Sequence, residues 1–279
     1  MEDDSDARIA CQIGSRSLNP VVGDEVEWRP ESDDAGIVTS ILPRKTELTR
    51  INNRGTSELV AANLSQLVVV LAFKPAADWF LLDRYLASAE LADLKSVVVF
   101  NKSDLSPTLP QELNDYRELC DAICTTSAKQ RENLGPLCEL MRGQRSAMIG
   151  QSGVGKSSLI NALLNDSVQE VSALSEKSGH GRHTTTTSVL YRLPTGGELI
   201  DSPGVRDYAP YIDDPRDVQH GFREIARFSG SCRFDDCAHL AEPDCAVKEA
   251  VTSGAITSRR YESYKALLDL TESLQAGHR

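Results

Sequence analysis

Residues 145–164 read RSAMIGQSGVGKSSLINALL, and this stretch decides how the rest of the chain is understood. Gly150, Gly155, Lys156 and Ser157 stand at the full G-x-x-x-x-G-K-S spacing. A β-like run precedes them and a helix-like run follows, which is the context the motif requires. The glycines allow backbone N–H groups to curl around phosphates, and the helix N-terminus adds a favourable dipole. Lys156 is then placed to reach β- and γ-phosphates and Ser157 to ligate Mg²⁺. The loop from Gly150 through Gln151, Ser152, Gly153, Val154, Gly155, Lys156 and Ser157 to Ser158 is read as a nucleoside triphosphate cradle.

Three further segments indicate the base. SVVVFNKSD (residues 96–104) ends in Asn101, Lys102, Ser103 and Asp104. A carboxylate at Asp104 accepts two hydrogen bonds from guanine N1 and N2, with Lys102 across the base and Asn101 tying the loop. TTSAK places Ser127, Ala128 and Lys129 where a backbone N–H meets the base O6, and GELIDSPGV sets Asp201 and Gly204 as D-x-x-G after another β-run. Asp201 suits a carboxylate near Mg²⁺, and Gly204 an N–H on the γ-phosphate. In an ordinary GTPase the phosphate loop comes before the guanine loops; here it follows them. Open α/β sheets bind ligands at the carboxyl ends of their strands whatever the order of the loops, and neighbouring termini allow a chain to be joined and cut elsewhere. The order therefore predicts a circularly permuted P-loop GTPase. The rival reading is a P-loop ATPase with a chance NKSD.

Around this core the texture changes twice. Residues 1–48 hold three short β-like stretches, ARIACQI, GDEVEW and AGIVTSIL, predicting a small all-β, OB-like domain that is either minimal or lacks its first strand. Residues 60–214 alternate apolar β-runs (LVVVLAF, SVVVF) with helix-like segments (DWFLLDRYLASAELA, QELNDYRELCDA), the pattern of a parallel sheet. Residues 215–279 read as a helical, Cys-rich domain closing in RRYESYKALLDLTESLQ. No apolar run approaches bilayer length, and the acidic N-terminus has no signal-peptide pattern, so the chain is expected in the cytoplasm with no membrane partner. A net charge of −11 argues against a protein that coats nucleic acid over its whole surface. Two basic clusters, Arg44/Lys45/Arg50/Arg54 and Arg223/Arg227/Arg233, read as solvated faces rather than binding patches.

In a cytoplasmic protein the seven cysteines are metal ligands or buried thiols before they are disulfides. SCRFDDCAHLAEPDC arranges Cys232, Cys237, His239 and Cys245 as a Cys₃His set, the donor set of a structural Zn²⁺ with no open position. Cys11, Cys120, Cys124 and Cys138 read as small buried apolar residues. A gap remains at Val205, where many GTPases place a water-positioning glutamine. SGHGRHTTTT (residues 178–187) offers His183 for that water and Thr184–Thr186 for Mg²⁺, with Thr185 taken as the ligand.

From about Val21 onward the chain closely resembles the circularly permuted, ribosome small-subunit-dependent GTPase A family of bacteria. The resemblance rests on VVGDEVEW, ILPRKTEL, NKSDL, TSAK, GQSGVGKSSLIN, GRHTTT and DSPGVRDY. It implies an OB-fold, a permuted GTPase and a zinc-binding domain in that order, with all four zinc positions matched. It implies GTP hydrolysis to GDP, stimulated by the 30S subunit, in late maturation of that subunit through contact with 16S rRNA. It also implies His183 as the catalytic residue; Lys156 is taken as catalytic beside it, and the protein is expected to be a monomer. A module that binds rRNA under GTP control with negligible turnover is the alternative.

Overall fold

Valine-rich runs form the middle of the molecule because parallel strands are covered on both faces and need apolar residues at every position. The computed structural model describes residues 9–32, 35–52, 56–106, 108–164, 188–202, 211–212 and 214–276. The first five strands are β1 (Ala10–Ile13), β2 (Val26–Ser32), β3 (Ala35–Ile41), β4 (Glu47–Ile51) and β5 (Ser57–Ala62). They form a three-stranded sheet of order β1-β3-β2 and a β4-β5 hairpin. The hairpin was not singled out from sequence: its charged residues hide the alternation, while Arg50 and Glu58 pair across it at 3.1 Å.

The main sheet has six strands among the described residues, in the order β10-β11-β9-β6-β7-β8. Its members are β6 (Gln66–Ala72), β7 (Lys95–Asn101), β8 (Ala122–Thr125), β9 (Arg145–Ile149), β10 (Val189–Arg192) and β11 (Glu198–Asp201). Only β10 runs antiparallel to its neighbour. β6 is buried along its whole length. Alternate residues face opposite ways: Leu67, Val69, Leu71, Val98 and Phe100 pack under α1 (Trp79–Leu91). Val68, Val70, Val97 and Val99 pack under α2 (Leu134–Met141) and α3 (Lys156–Leu164).

The C-terminal part is helical: α4 (Arg223–Ser229), α5 (Ala246–Thr252) and α6 (Ser258–Ala276). Its core of Val218, Phe222, Ile225, Val247, Tyr264 and Leu267 closes onto Ala87 of α1. The approach is close at Gly221, where a Cβ would press on Ala87.

QELNDYRELCDA, expected to be helical, forms a 3₁₀ segment at Gln111–Tyr116 followed by turns. The tighter winding accompanies a fully buried Tyr116, whose hydroxyl donates to Asp83 at 2.6 Å. Several members of the two basic clusters pair with carboxylates, while Arg227 and the Arg233–Asp244 pair lie on the exposed surface as a solvated face would. Arg44 pairs with Asp24 at 2.7 Å, Arg223 with Glu90 at 2.6 Å and Arg233 with Asp244 at 2.7 Å. Arg54 lies outside the described residues. Cys120 and Cys124 are buried as expected, but Cys11 and Cys138 are only half-buried, because β1 and the outer side of α2 lie near the surface.

Candidate nucleotide site and metal centre

Parallel strands deliver their following loops to one edge of a sheet. The phosphate loop follows β9, the NKSD loop ends β7, the TSAK segment follows β8, and Asp201 ends β11. β7 and β9 both flank β6, so the strands that carry the NKSD and phosphate loops are about 10 Å apart, two strand spacings, and the loops themselves meet across the end of β6.

Within the phosphate loop Gly150, Gly153 and Gly155 have φ of +140°, +81° and +99°, a region that L side chains rarely adopt. Close contact adds to the requirement: a Cβ on Gly150 would strike the Val70 carbonyl, and one on Gly155 the Asn101 amide. Val154 is buried in the core below the loop, while Ser152, Gly153, Ser157 and Ser158 lie exposed. Gln151 accepts from the Asp78 N–H at 3.2 Å, tying the loop to the cap of α1. Lys156 opens α3, and its Nζ donates back to Gly150 O at 2.6 Å and Gln151 O at 2.8 Å, across the mouth of its own loop.

Asn101 joins three loops. It is buried, its Nδ2 donates to Val154 O at 2.9 Å, and its Oδ1 accepts from the Ala128 N–H at 3.1 Å and the Thr126 hydroxyl at 3.2 Å. Lys102 sits at φ +60°, its Nζ donating to Gly153 O at 2.6 Å and Lys74 O at 2.5 Å. The Ser103 N–H donates to Thr126 O at 3.0 Å. Asp104 lies in the 3₁₀ turn Ser103–Leu105, exposed, with Oδ1 accepting from the buried Ser127 hydroxyl at 2.6 Å. Lys129 is exposed just beyond. The structure thus brings Asn101, Lys102, Ser103, Asp104, Ser127 and Ala128 together with the phosphate loop. Thr126 and the Lys74 carbonyl join the cluster without having been named as site groups from sequence. Thr126 stands one residue before the TSAK serine, but a backbone carbonyl carries no sequence signal.

On the β11 side, Asp201 is half-buried, and Ser202 next to it shares a 2.9 Å hydroxyl–hydroxyl bond with Ser188. His183, Thr185, Gly204 and Val205 lie outside the described residues.

The second cluster lies between α4 and α5. Donor atoms of Cys232, Cys237, His239 and Cys245 all fall within 4.8 Å of one another. Cys232 and Cys245 sulfurs are 3.8 Å apart, and His239 Nδ1 is 3.5 Å from each. A tetrahedral ion with metal–sulfur bonds near 2.3 Å and metal–nitrogen bonds near 2.0 Å demands spacings of about 3.8 and 3.5 Å. The residues therefore fit a four-coordinate metal. Burial, reinforced by the neighbouring Cys245 and Cys232, pushes the Cys237 thiol up to about 12, so a coordinated cation is what would turn it into a thiolate. Burial also holds the His239 imidazole below its usual range, in the neutral form a ligand needs. The loop is held from outside the ligand set: Glu242 accepts from the Ala238 and Leu240 N–H groups, and Tyr264 donates to Ala238 O at 3.0 Å.

Fold and nucleotide site together define a P-loop GTPase whose loops occur in permuted order. The family model for RsgA GTPase matches residues 41–210. A Chromohalobacter salexigens protein named small ribosomal subunit biogenesis GTPase RsgA is 41% identical, covering 94% of this chain and 78% of that one. A Haemophilus influenzae protein of the same name is 38% identical over all of this chain and 83% of its own length. Among solved structures, YjeQ from Thermotoga maritima superposes with a TM-score of 0.74 at 33% identity, over 96% of this chain and 92% of that one. YloQ, described as a circularly permuted GTPase, superposes at 0.71 with 29% identity, over 97% and 88%. The chain belongs to the RsgA GTPase family.

Proposed function

We propose that this GTPase acts on the small ribosomal subunit, coupling GTP binding to engagement of 30S particles and 16S rRNA during late maturation, with hydrolysis stimulated by the subunit. The observation that carries the guanine reading is the Asn101 junction, which binds the base-reading loops and the phosphate loop into one unit. Asp104, steadied on one oxygen by Ser127, accepts from guanine N1 and N2, and Lys102 lies across the base. The phosphate-loop N–H groups from Gly150 to Ser158 hold the phosphates, and Gly204 N–H meets the γ-phosphate. Lys156 exchanges its carbonyl partners for phosphate oxygens and neutralises charge that develops as phosphoryl transfer proceeds. Ser157, Thr185 and Asp201 would hold Mg²⁺, which would supply positive charge against the phosphates. His183 orients the attacking water in place of the glutamine that Val205 replaces. At the C-terminal cluster the ion is Zn²⁺ in a structural role, since all four ligands come from the protein.

We take residues 1–48 as the OB-like domain, 60–214 as the GTPase and 215–279 as the zinc-binding domain, in a monomeric, cytoplasmic protein. No helix among the described residues is long and apolar enough to cross a membrane. The deciding measurement is phosphate release from GTP with and without purified 30S subunits, with ATP as competitor. Stimulation of at least tenfold by 30S, insensitive to ATP, is expected. Turnover that 30S leaves unchanged would favour an rRNA-binding module, and equal competition by ATP would remove the guanine reading.

A further inference from the structure

We infer that Gln219, which lies outside the Cys₃His set, orients the metal centre by holding the far side of the His239 ring. His239 is buried and presents Nδ1 to the sulfurs of Cys232 and Cys245. Its other nitrogen, Nε2, lies 3.0 Å from Gln219 Oε1. The direction of that bond follows from the amide's second contact. Gln219 Nε2 donates to Arg216 O at 3.1 Å, a carbonyl that can only accept, so the amide oxygen faces the ring and His239 Nε2–H donates to it. That leaves Nδ1 as the ring's lone-pair nitrogen, aimed at the sulfurs.

Gln219 reaches the ring from a fixed backbone. It sits in the 3₁₀ segment Pro215–Gly221, capped by Asp214, which accepts from the Arg216 N–H at 2.9 Å. Val218 on one side and Phe222 beyond are fully buried in the C-terminal core. This segment lies on the path from β11 to α4, so the bond fastens the metal loop to the chain leaving the nucleotide-bearing sheet. Ligating histidines whose second nitrogen is held this way bind metal more tightly, and losing the outer partner typically costs about 10–100-fold in affinity.

The inference rests on the reading that the four residues bind a metal, and the experiment separates the two. Zn²⁺ affinity is measured on the full chain by competition with a chromophoric chelator, alongside the visible spectrum of the Co²⁺-substituted protein. The wild type should bind one ion; if it takes up none, the metal reading fails and this inference with it. Given wild-type binding, Gln219→Leu should release Zn²⁺ at least tenfold more readily and shift the Co²⁺ bands. Gln219→Glu, which keeps an acceptor at the same reach, should stay within about threefold of wild type. Gln219→Asn, one methylene shorter, should resemble the leucine variant and serves in its place if that variant does not fold. Wild-type affinity in both Gln219→Leu and Gln219→Asn, or equal losses in the glutamate variant, would overturn the role, because a packing residue would not distinguish acceptor from non-acceptor.

Discussion

Asp104 and Ser127 show how a short motif acquires specificity from a neighbour. The serine hydroxyl occupies one oxygen of the carboxylate, and an asparagine at the same place would keep that bond through its carbonyl. Asp104→Asn should therefore fold normally while its amide donates where guanine also donates. Affinity for GTP should fall by about 1.5–3 kcal/mol, the worth of hydrogen bonds to a charged group, and XTP should be preferred. Unchanged GTP and XTP affinities in a fluorescence titration would contradict the base-reading role. His183 makes a different claim, because a group that only orients water acts in the transition state. His183→Ala should leave GTP affinity nearly intact and reduce the single-turnover rate on saturating 30S by about 10²–10⁴-fold. A drop of less than about threefold would sink it.

At the scale of elements, α1 links the two halves of the molecule. Its Asp78 cap touches Gln151 of the phosphate loop, and its Asp83, fully buried, accepts from Arg260 at 2.7 Å and Tyr116 at 2.6 Å. Arg260 also donates to Glu224 at 2.5 Å and lies over the Phe222 ring at 4.5 Å. Such buried pairs add little net stability, yet removing one partner strands a charge and costs about 3–5 kcal/mol. Asp83→Leu should therefore lower the denaturant midpoint strongly. Because Arg260 also pairs with Glu224, adding both Arg260→Met and Glu224→Leu should recover at least half of the loss, since no buried partner of the arginine is then left unmatched. If the triple variant is no more stable than the single one, this buried network is not what joins α1 to α6.

For the whole molecule, the metal centre and the nucleotide site draw on different cores. Cys237 and Cys245 belong to the C-terminal core, whereas the nucleotide loops rest on the cores of the six-stranded sheet. Structural metal binding is folding free energy for the part that holds it. Chelation should expose the amides of α4, α5 and α6 to hydrogen exchange while GTP affinity stays within about threefold. Loss of GTP binding in parallel with the metal, at an intact sheet, would mean that the two sites share one cooperative unit.

What the sequence determined by itself was local chemistry at short spacing. The phosphate loop, NKSD, TSAK and the Cys₃His set each lie within a stretch of at most fourteen residues, and the backbone demands of the nucleotide loops are written in glycines and strand-end positions. The permuted order could be read because parallel strands bring their loops to one edge whatever the connectivity. Long-range partners could not be read. Asp83 and Arg260 are 177 positions apart, and each alone is an ordinary exposed-type residue. Arg44 and Arg223 belong to basic clusters in sequence, but folding sets carboxylates against them. Gln219 carries no motif; only the packing of its 3₁₀ segment against the metal loop brings an acceptor to His239 Nε2. Which polar groups meet is decided by how helices and sheet pack together, because only burial makes an unmatched charge or donor costly enough to select its partner.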